Sequence, residues 1–323
     1  MGNKGTSTRS AAAQPAALSI LTFNIWFEGG WRKPDRPTAG AAAVSSSRRP
    51  TPQLDDTNNF ALRIAGVLDC VRSADADVVC LQELTHWSME IFRDALTATH
   101  HVSHWGEQGA YGVAMFVKKT LVSDATPFTL HRIPTGMGRF LLSTVVHGVL
   151  VCTCHFESLA QAPTRKQQLE AYARLAESMP GSPCVLCGDF NFCSYRNYSG
   201  QGTLENLVLG EVLPDHTDIW PRLHPQPLRE PTASPDRHQT WRGYTFDNLR
   251  NVNIRQSERM RYDRVLLREG CGLVAQAIEL VGTDKILDIE MHPSDHFGLL
   301  AQFEPTTRTP TITPQLCAAS ASS

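Results

Sequence analysis

The chain has 323 residues, 41% of them hydrophobic and 19% charged, which suffices for one large globular domain or two ordinary ones. Its 30 Lys and Arg against 32 Asp and Glu give a formal net charge of -2, so no global basic field can be the basis of nucleic-acid binding, and any polyanion must be held locally. No apolar run approaches the roughly 20 residues of a membrane span, and the N-terminal stretch lacks the continuous apolar core of a secretory signal. The expectation is an intracellular protein, nuclear or cytoplasmic, that is not secreted.

Residues 1–17 are polar and alanine-rich and cannot build a core, so disorder is expected there. The opening MGNKGT matches the N-myristoylation pattern with Gly2 as acceptor, but a single acyl chain supports only weak, reversible membrane attachment. A first strand is predicted over 18–25, followed by a Pro-, Ser- and charge-rich inserted loop at 29–58. Phe60, Ile64, Val67, Leu68 and Val71 recur at helical spacing, a strand follows over 77–82, and a helix over 87–99. Strands are predicted at 111–117, 140–146 and 149–155, and Thr164 with Gln167 reads as a capping box opening a helix over 164–179. Further strands are predicted at 183–188, 262–268, 272–281 and 298–303, interrupted by a second inserted loop at 221–243. The Thr/Pro/Ser/Ala tail over 305–323 is expected to be disordered.

Strands bare of polar alternation need cover on both faces, so helices outside and a second sheet inside is the economical arrangement: an α/β sandwich in one domain over 18–304. Nine cysteines is an odd count. Cys80, Cys152, Cys154, Cys184 and Cys187 lie in apolar strand-like runs, which suits reduced core thiols better than a disulfide framework. Cys184 and Cys187 have zinc-ligand spacing, but no second pair matches, and zinc is not expected.

Polar residues recur where the predicted apolar strands end or begin: Asn24, Glu83, His155 with Glu157, Asp189 with Asn191, Asp263, and Asp295 with His296. Singly, each reads as a cap or turn. Together they suggest strand ends converging on one rim to assemble a site from distant parts of the chain. Carboxylates, amides and a histidine, with no cysteine nucleophile or Gly-rich phosphate loop, suit a hard cation such as magnesium and the hydrolysis of a phosphodiester. A carboxylate would orient the attacking water, and amide donors with a cationic histidine would stabilise charge on the non-bridging oxygens. Asp263 beside His296 would keep the imidazole protonated.

The segments FNIW, LQE, CHFES, GDFN, YDR and SDHFGLL stand in the order and approximate separation found in the endonuclease/exonuclease/phosphatase superfamily, which the chain resembles over most of 18–304. CHFES, SDHFGLL, GRFLL, YTFD and RYDRVLLR are most similar to its 5′-tyrosyl-DNA phosphodiesterase branch, type 2. The resemblance implies a four-layer α-β-β-α sandwich of two stacked mixed sheets. It implies a magnesium-dependent phosphodiesterase, with manganese as an alternative ion, acting on DNA 5′ ends that carry a covalent tyrosine or peptide and leaving a 5′ phosphate. By that resemblance Glu83 is the metal ligand, supported by Asn24, and Asp295 lies on the metal side. Asp189 serves the water, Asn191 steadies the phosphate, and His296 donates to it with Asp263 behind. His155 and Ser158 touch phosphate, Arg139 holds the substrate backbone, and Arg196 contacts DNA. A monomer is expected. A deadenylase-like RNase, an apurinic endonuclease, or a sphingomyelin or inositol phosphate hydrolase would use the same core. A catalytically dead adaptor is the reading of another class, and it needs none of these residues.

Overall fold

The computed structural model describes residues 15–27, 56–122, 128–225 and 242–306. The first half runs β1 (Leu18–Asn24), α1 (Asp56–Ala74), β2 (Val78–Thr85), α2 (His86–Leu96), β3 (His100–Val102), β4 (Tyr111–Lys118), β5 (Thr129–Arg132) and β6 (Phe140–Val146). The second runs β7 (Val149–His155), α3 (Ala162–Glu177), β8 (Cys184–Asp189), α4 (Val208–Val212), β9 (His216–Asp218), α5 (Ile219–Leu223), β10 (Phe246–Asp247), β11 (Arg259–Met260), β12 (Asp263–Arg268), β13 (Leu273–Val281) and β14 (Gly298–Pro305).

Two six-stranded sheets form, in the orders β13-β14-β1-β2-β4-β3 and β5-β6-β7-β8-β12-β9, with β10 and β11 as a separate pair. Each large sheet has one parallel pair at its centre, β1 with β2 and β7 with β8, and each pair is joined through a helix, α1 or α3. The other pairings are antiparallel. Strand alternation then divides the apolar residues into three layers. Ile20, Val78, Val113, Met115, Val151, Val185, Val265 and Leu299 fill the space between the sheets. Leu21, Phe23, Val79, Leu81 and Phe116 face α1 and α2, meeting Phe60, Ile64, Val67, Met89 and Phe92. Leu141, Leu150 and Leu186 face α3, meeting Leu169, Tyr172 and Ala176. The architecture is therefore the four-layer α-β-β-α sandwich.

Three local expectations change. Helix α3 opens at Ala162, with Pro163 in its first turn and Gln161 as an N-cap without a side-chain bond, so Thr164 and Gln167 form no capping box. Proline has no N–H to leave unsatisfied there and can start a helix unaided. A capping box does exist at α2, where Thr85 and Ser88 exchange side-chain and backbone bonds. Strand β2 does not end at Gln82: it continues to Thr85 through a bulge at Glu83, whose φ is 63°.

The cysteines at issue are free thiols. Cys80 and Cys187 sit between the sheets, whereas Cys152, Cys154 and Cys184 sit under α3, so Cys184 and Cys187 point to opposite faces of β8 and cannot share an ion. Gly2, most of the two terminal segments and most of both inserted loops lie outside the described residues. At their described edges, 56–58 belong to α1, α5 reaches Leu223, and β14 runs to Pro305. Among the described residues no helix is long and apolar enough to cross a membrane.

Candidate active site

Asn24, His155 and Asp189 are the last residues of β1, β7 and β8, and Asp263 is the first of β12. Because β12 is antiparallel to β8 and β14 to β1, the start of β12 and the approach to β14 fall on the same edge as those ends. In register, Asp189 lies between His155 on one side and Asp263 on the other. The convergence inferred from scattered strand ends is thus a consequence of topology.

At the centre, the Asn24 side-chain amide donates to Glu83 Oε1 at 3.2 Å and to Asp189 Oδ2 at 3.0 Å, joining a carboxylate of each sheet. Asn24 Oδ1 accepts from the Trp26 amide, and Glu83 Oε2 accepts from the Phe27 amide at 3.1 Å. The bulge gives Glu83 a left-handed backbone that turns its side chain out of the pleat, the kind of strain that clusters at functional sites. Burial, with Asp295 and Asp189 nearby, pushes the Glu83 carboxyl up to about 7, against the pull of His296. Burial likewise raises Asp189 to about 6 and lifts Asp295 above the usual carboxylate range.

His296 Nδ1 donates to Asp263 Oδ2 at 2.7 Å, and its Nε2 stands 4.0 Å from Asp189 Oδ2. Burial opposes its charge, but Asp263, through charge and hydrogen bond, together with Asp189 and Asp295, raises its pKa well above that of an ordinary histidine. Asp263 is anchored by the Thr245 hydroxyl at its amide, and the rings of Phe246 and Tyr262 flank the imidazole. His155 is the opposite case: burial first, then the cations Arg139 and His296, hold it well below the usual range. Arg139 Nη1 donates to His155 Nδ1 at 2.9 Å, which leaves the proton on Nε2, 3.7 Å from Glu83 Oε1 and 3.5 Å from Asp189 Oδ2. Arg139 Nη2 donates to Ser158 Oγ at 2.9 Å, and its guanidinium lies 5.0 Å from the Tyr111 ring centre. Asn191, at φ 55°, donates its backbone N–H to Asp189 Oδ1 at 2.8 Å and its side-chain amide to Phe156 O.

Two groups, Glu83 with His155 and Asp189, and Asp189 with Asp263 and His296, bring potential ligand atoms within 4.8 Å of one another, but His155 Nε2 and the His296 ring carry protons, so the carboxylate oxygens are what an ion could meet. Mutually repelling, buried oxygen donors, lifted toward neutrality by burial, are what a hard divalent cation would relieve, so the residues present fit magnesium or manganese. Arg196 is exposed in the loop after β8 and is not bonded to this cluster.

The family model described as Endonuclease/Exonuclease/phosphatase family matches residues 21–296, a span that includes this whole cluster. The chain belongs to that family. Relatives include a protein named tyrosyl-DNA phosphodiesterase 2 from Xenopus laevis, 30% identical over 259 residues, covering 77% of this chain and 63% of that one. One of the same name from Mus musculus is 29% identical over 254 residues, 76% and 62% of the two chains. The chain thus spans under two thirds of the length of these curated relatives. Among solved structures, D. rerio TDP2 complexed with a single-strand DNA product superposes with a TM-score of 0.63 at 22% identity, over 89% of this chain and 98% of that one, a likeness of fold.

Within this member of the family, several residues that hold the site in place escaped sequence reading. Ser294 Oγ donates to Asn24 O at 2.7 Å and accepts the His296 amide at 3.1 Å, tying the approach to β14 to the end of β1. Gln82 Nε2 donates to Thr22 Oγ1 at 3.0 Å and Thr153 Oγ1 at 3.1 Å, bridging the two sheets directly beneath Glu83. The signal for Gln82 was present as a polar residue inside the run VVCLQ, where an unpaired amide would be costly. Tyr111, stacked on Phe27 with ring centres 4.4 Å apart, carried no signal of its own.

Proposed function

We propose that the protein is a divalent-metal-dependent phosphodiesterase that hydrolyses 5′-phosphotyrosyl adducts on DNA, leaving a 5′ phosphate. The observation that carries this reading is the pairing of a cationic His296–Asp263 dyad with Glu83, Asp189 and Asp295 on one sandwich rim. The names of the relatives support the choice of substrate.

Glu83, with Asp295 and Asn24 beside it, would hold magnesium, or manganese in its place, and the bound ion would polarise the phosphoryl group and offset its charge. Asp189 is fixed at both oxygens, by Asn24 and by the Asn191 amide, so its carboxylate keeps one orientation toward an attacking water. It takes the water's proton as the new P–O bond forms. The bond to the tyrosyl oxygen breaks, and the phenolate leaves and is protonated by solvent. A carboxyl held near 6 is matched to proton transfer close to neutral pH. His296, kept charged by Asp263, donates from Nε2 to a non-bridging oxygen, and His155 Nε2–H supplies a neutral donor on the other side of Asp189. Ser158 and Arg139 support the same phosphate through His155, Asn191 steadies it, and the exposed Arg196 offers charge to the DNA backbone.

The test is incubation with magnesium and a short DNA bearing a 5′-phosphotyrosyl end, beside matched abasic-site and poly(A) RNA substrates. Release of tyrosine with a 5′-phosphate product, lost with EDTA and with Asp189→Asn, is the expected result. Cleavage of another substrate and not of this one moves the protein to a different branch of the family; no metal-dependent turnover of any substrate removes the reading.

A further inference from the structure

We propose that Glu157 is a positioning residue that sets the proton of His155 by holding Arg139. The proposal rests on the reading above for its activity measurements alone.

Residues 134–138, the segment PTGMG, are exposed and include Gly138 at φ 73°, so the segment has little of its own to hold one path. Its shape is imposed by the buried Glu157 carboxylate. Glu157 Oε1 accepts from the Gly136 amide at 2.7 Å, and Oε2 accepts from Thr135 Oγ1 at 2.7 Å. Thr135 Oγ1 in turn accepts the backbone N–H of Met137 at 3.0 Å and of Arg139 at 3.1 Å. A Cβ on Gly136 would stand 3.2 Å from Oε1, so the loop backbone is drawn tightly onto the carboxylate.

Glu157 is itself clamped from α3. Gln168 accepts its backbone N–H at 2.8 Å and donates to Oε2 at 3.2 Å, and Arg165 donates to its carbonyl at 2.7 Å. Gln168 also holds Pro134 O at 2.8 Å. Two buried side chains, Glu157 and Gln168, thus hold the segment whose end is Arg139, the first residue of the stretch to turn inward. A carboxylate taken out of water to accept uncharged donors is an expensive way to fold an exposed loop. What it secures is the aim of Arg139. A guanidinium has only donors, so its bond to His155 Nδ1 admits one tautomer, with the proton on Nε2, facing Glu83 and Asp189. Without the clamp Arg139 gains freedom, and His155 can exchange its proton between the two nitrogens.

Two readouts test this. In 15N-labelled protein without metal, the His155 ring should show a protonated Nε2 and an unprotonated Nδ1, and Glu157→Ala should convert this to a mixture of tautomers. Turnover is measured with magnesium on both the phosphotyrosyl DNA and bis(p-nitrophenyl) phosphate, a generic diester. Glu157→Ala and Arg139→Ala should each lose about 10–100-fold, the range typical for a group that orients a site residue. The double variant should lose no more than about threefold beyond Arg139→Ala, because groups that act as a unit do not add. Thr135→Val, at an exposed position, should reproduce part of the loss should Glu157→Ala fail to fold. Losses that add in the double variant, or an unchanged His155 tautomer in both Glu157→Ala and Thr135→Val, overturn the proposal. Hydrolysis of the generic diester but not of the DNA adduct overturns the substrate reading and leaves Glu157 to be judged on the diester. Absence of any turnover leaves the tautomer measurement to decide.

Discussion

Asn24 uses both side-chain amide hydrogens on carboxylates from different sheets, so it orients Glu83 and Asp189, the proposed metal-side and water-side acids, together. Asn24→Ala should lower turnover by about 10²–10³-fold, the usual cost of one lost electrostatic group, while circular dichroism stays unchanged. The acids also make a pH prediction. Glu83 at about 7, Asp189 at about 6 and His296 above the ordinary histidine value all have folded pKa values above those of the unfolded chain. A group of that kind contributes stability in full below its unfolded pKa and loses it as pH rises through the folded one. These three groups should therefore lower the metal-free melting temperature between about pH 5 and pH 8. Below the ordinary histidine pKa they are opposed by His155, His100, His131, His216 and His292, which burial holds below that value, so the trend is read as the part of the pH dependence that Glu83→Gln removes. On the proposed function magnesium binds the ionised carboxylates, and it should then raise the melting temperature more at pH 8 than at pH 5. Glu83→Gln should raise the metal-free melting temperature at pH 8, abolish the magnesium shift and remove turnover; a lower melting temperature in that variant contradicts the account.

At the scale of elements, the parallel pairing of β7 with β8 places His155 beside Asp189, and it requires a glycine one residue earlier. Gly188 has φ 133°, and a Cβ there would lie 2.0 Å from Cys154 O, in the neighbouring strand. Gly188→Ala should cost about 2–5 kcal/mol through backbone strain and strand displacement, seen as a lower denaturant midpoint. Much of this level was legible from residue order. Long apolar runs such as VLVCTCH and CVLCGD read as doubly covered strands, and the polar residues at their ends read as a rim. Strands of two to four residues, such as Thr129–Arg132 and Phe246–Asp247, show too little periodicity to be seen and are fixed by their partners. The bulge at Glu83 was equally silent, because LQELT continues an acceptable strand pattern on either side of it. Thr164 and Gln167 satisfied a local rule that Pro163 in the same turn made unnecessary.

For the whole molecule, the site exists only while the two sheets are docked. Glu83 and Asn24 belong to one sheet and Asp189, His155 and Asp263 to the other, and the Gln82 amide bonded to Thr22 and Thr153 is the polar bridge beneath them. Gln82→Ala should destabilise by about 1–3 kcal/mol in urea unfolding, by stripping partners from buried hydroxyls. Magnesium affinity should fall in the same variant, since the gap between the sheets sets the spacing of the acids. The five buried cysteines of the strands turn this architecture into a stopwatch. Burial pushes the Cys184 thiol up to about 11 and those of Cys80, Cys152 and Cys154 well above the ordinary value, so an aromatic disulfide reagent cannot reach a thiolate in the closed sandwich. Among the described residues Cys70, on α1, and Cys271, in the turn after β12, are partly exposed and should be labelled before the buried thiols. Cys80 and Cys187, between the sheets, should follow in a slower phase whose rate counts separations of the two sheets, and added magnesium should lengthen that phase without touching the first, while Cys152, Cys154 and Cys184 report the lifting of α3.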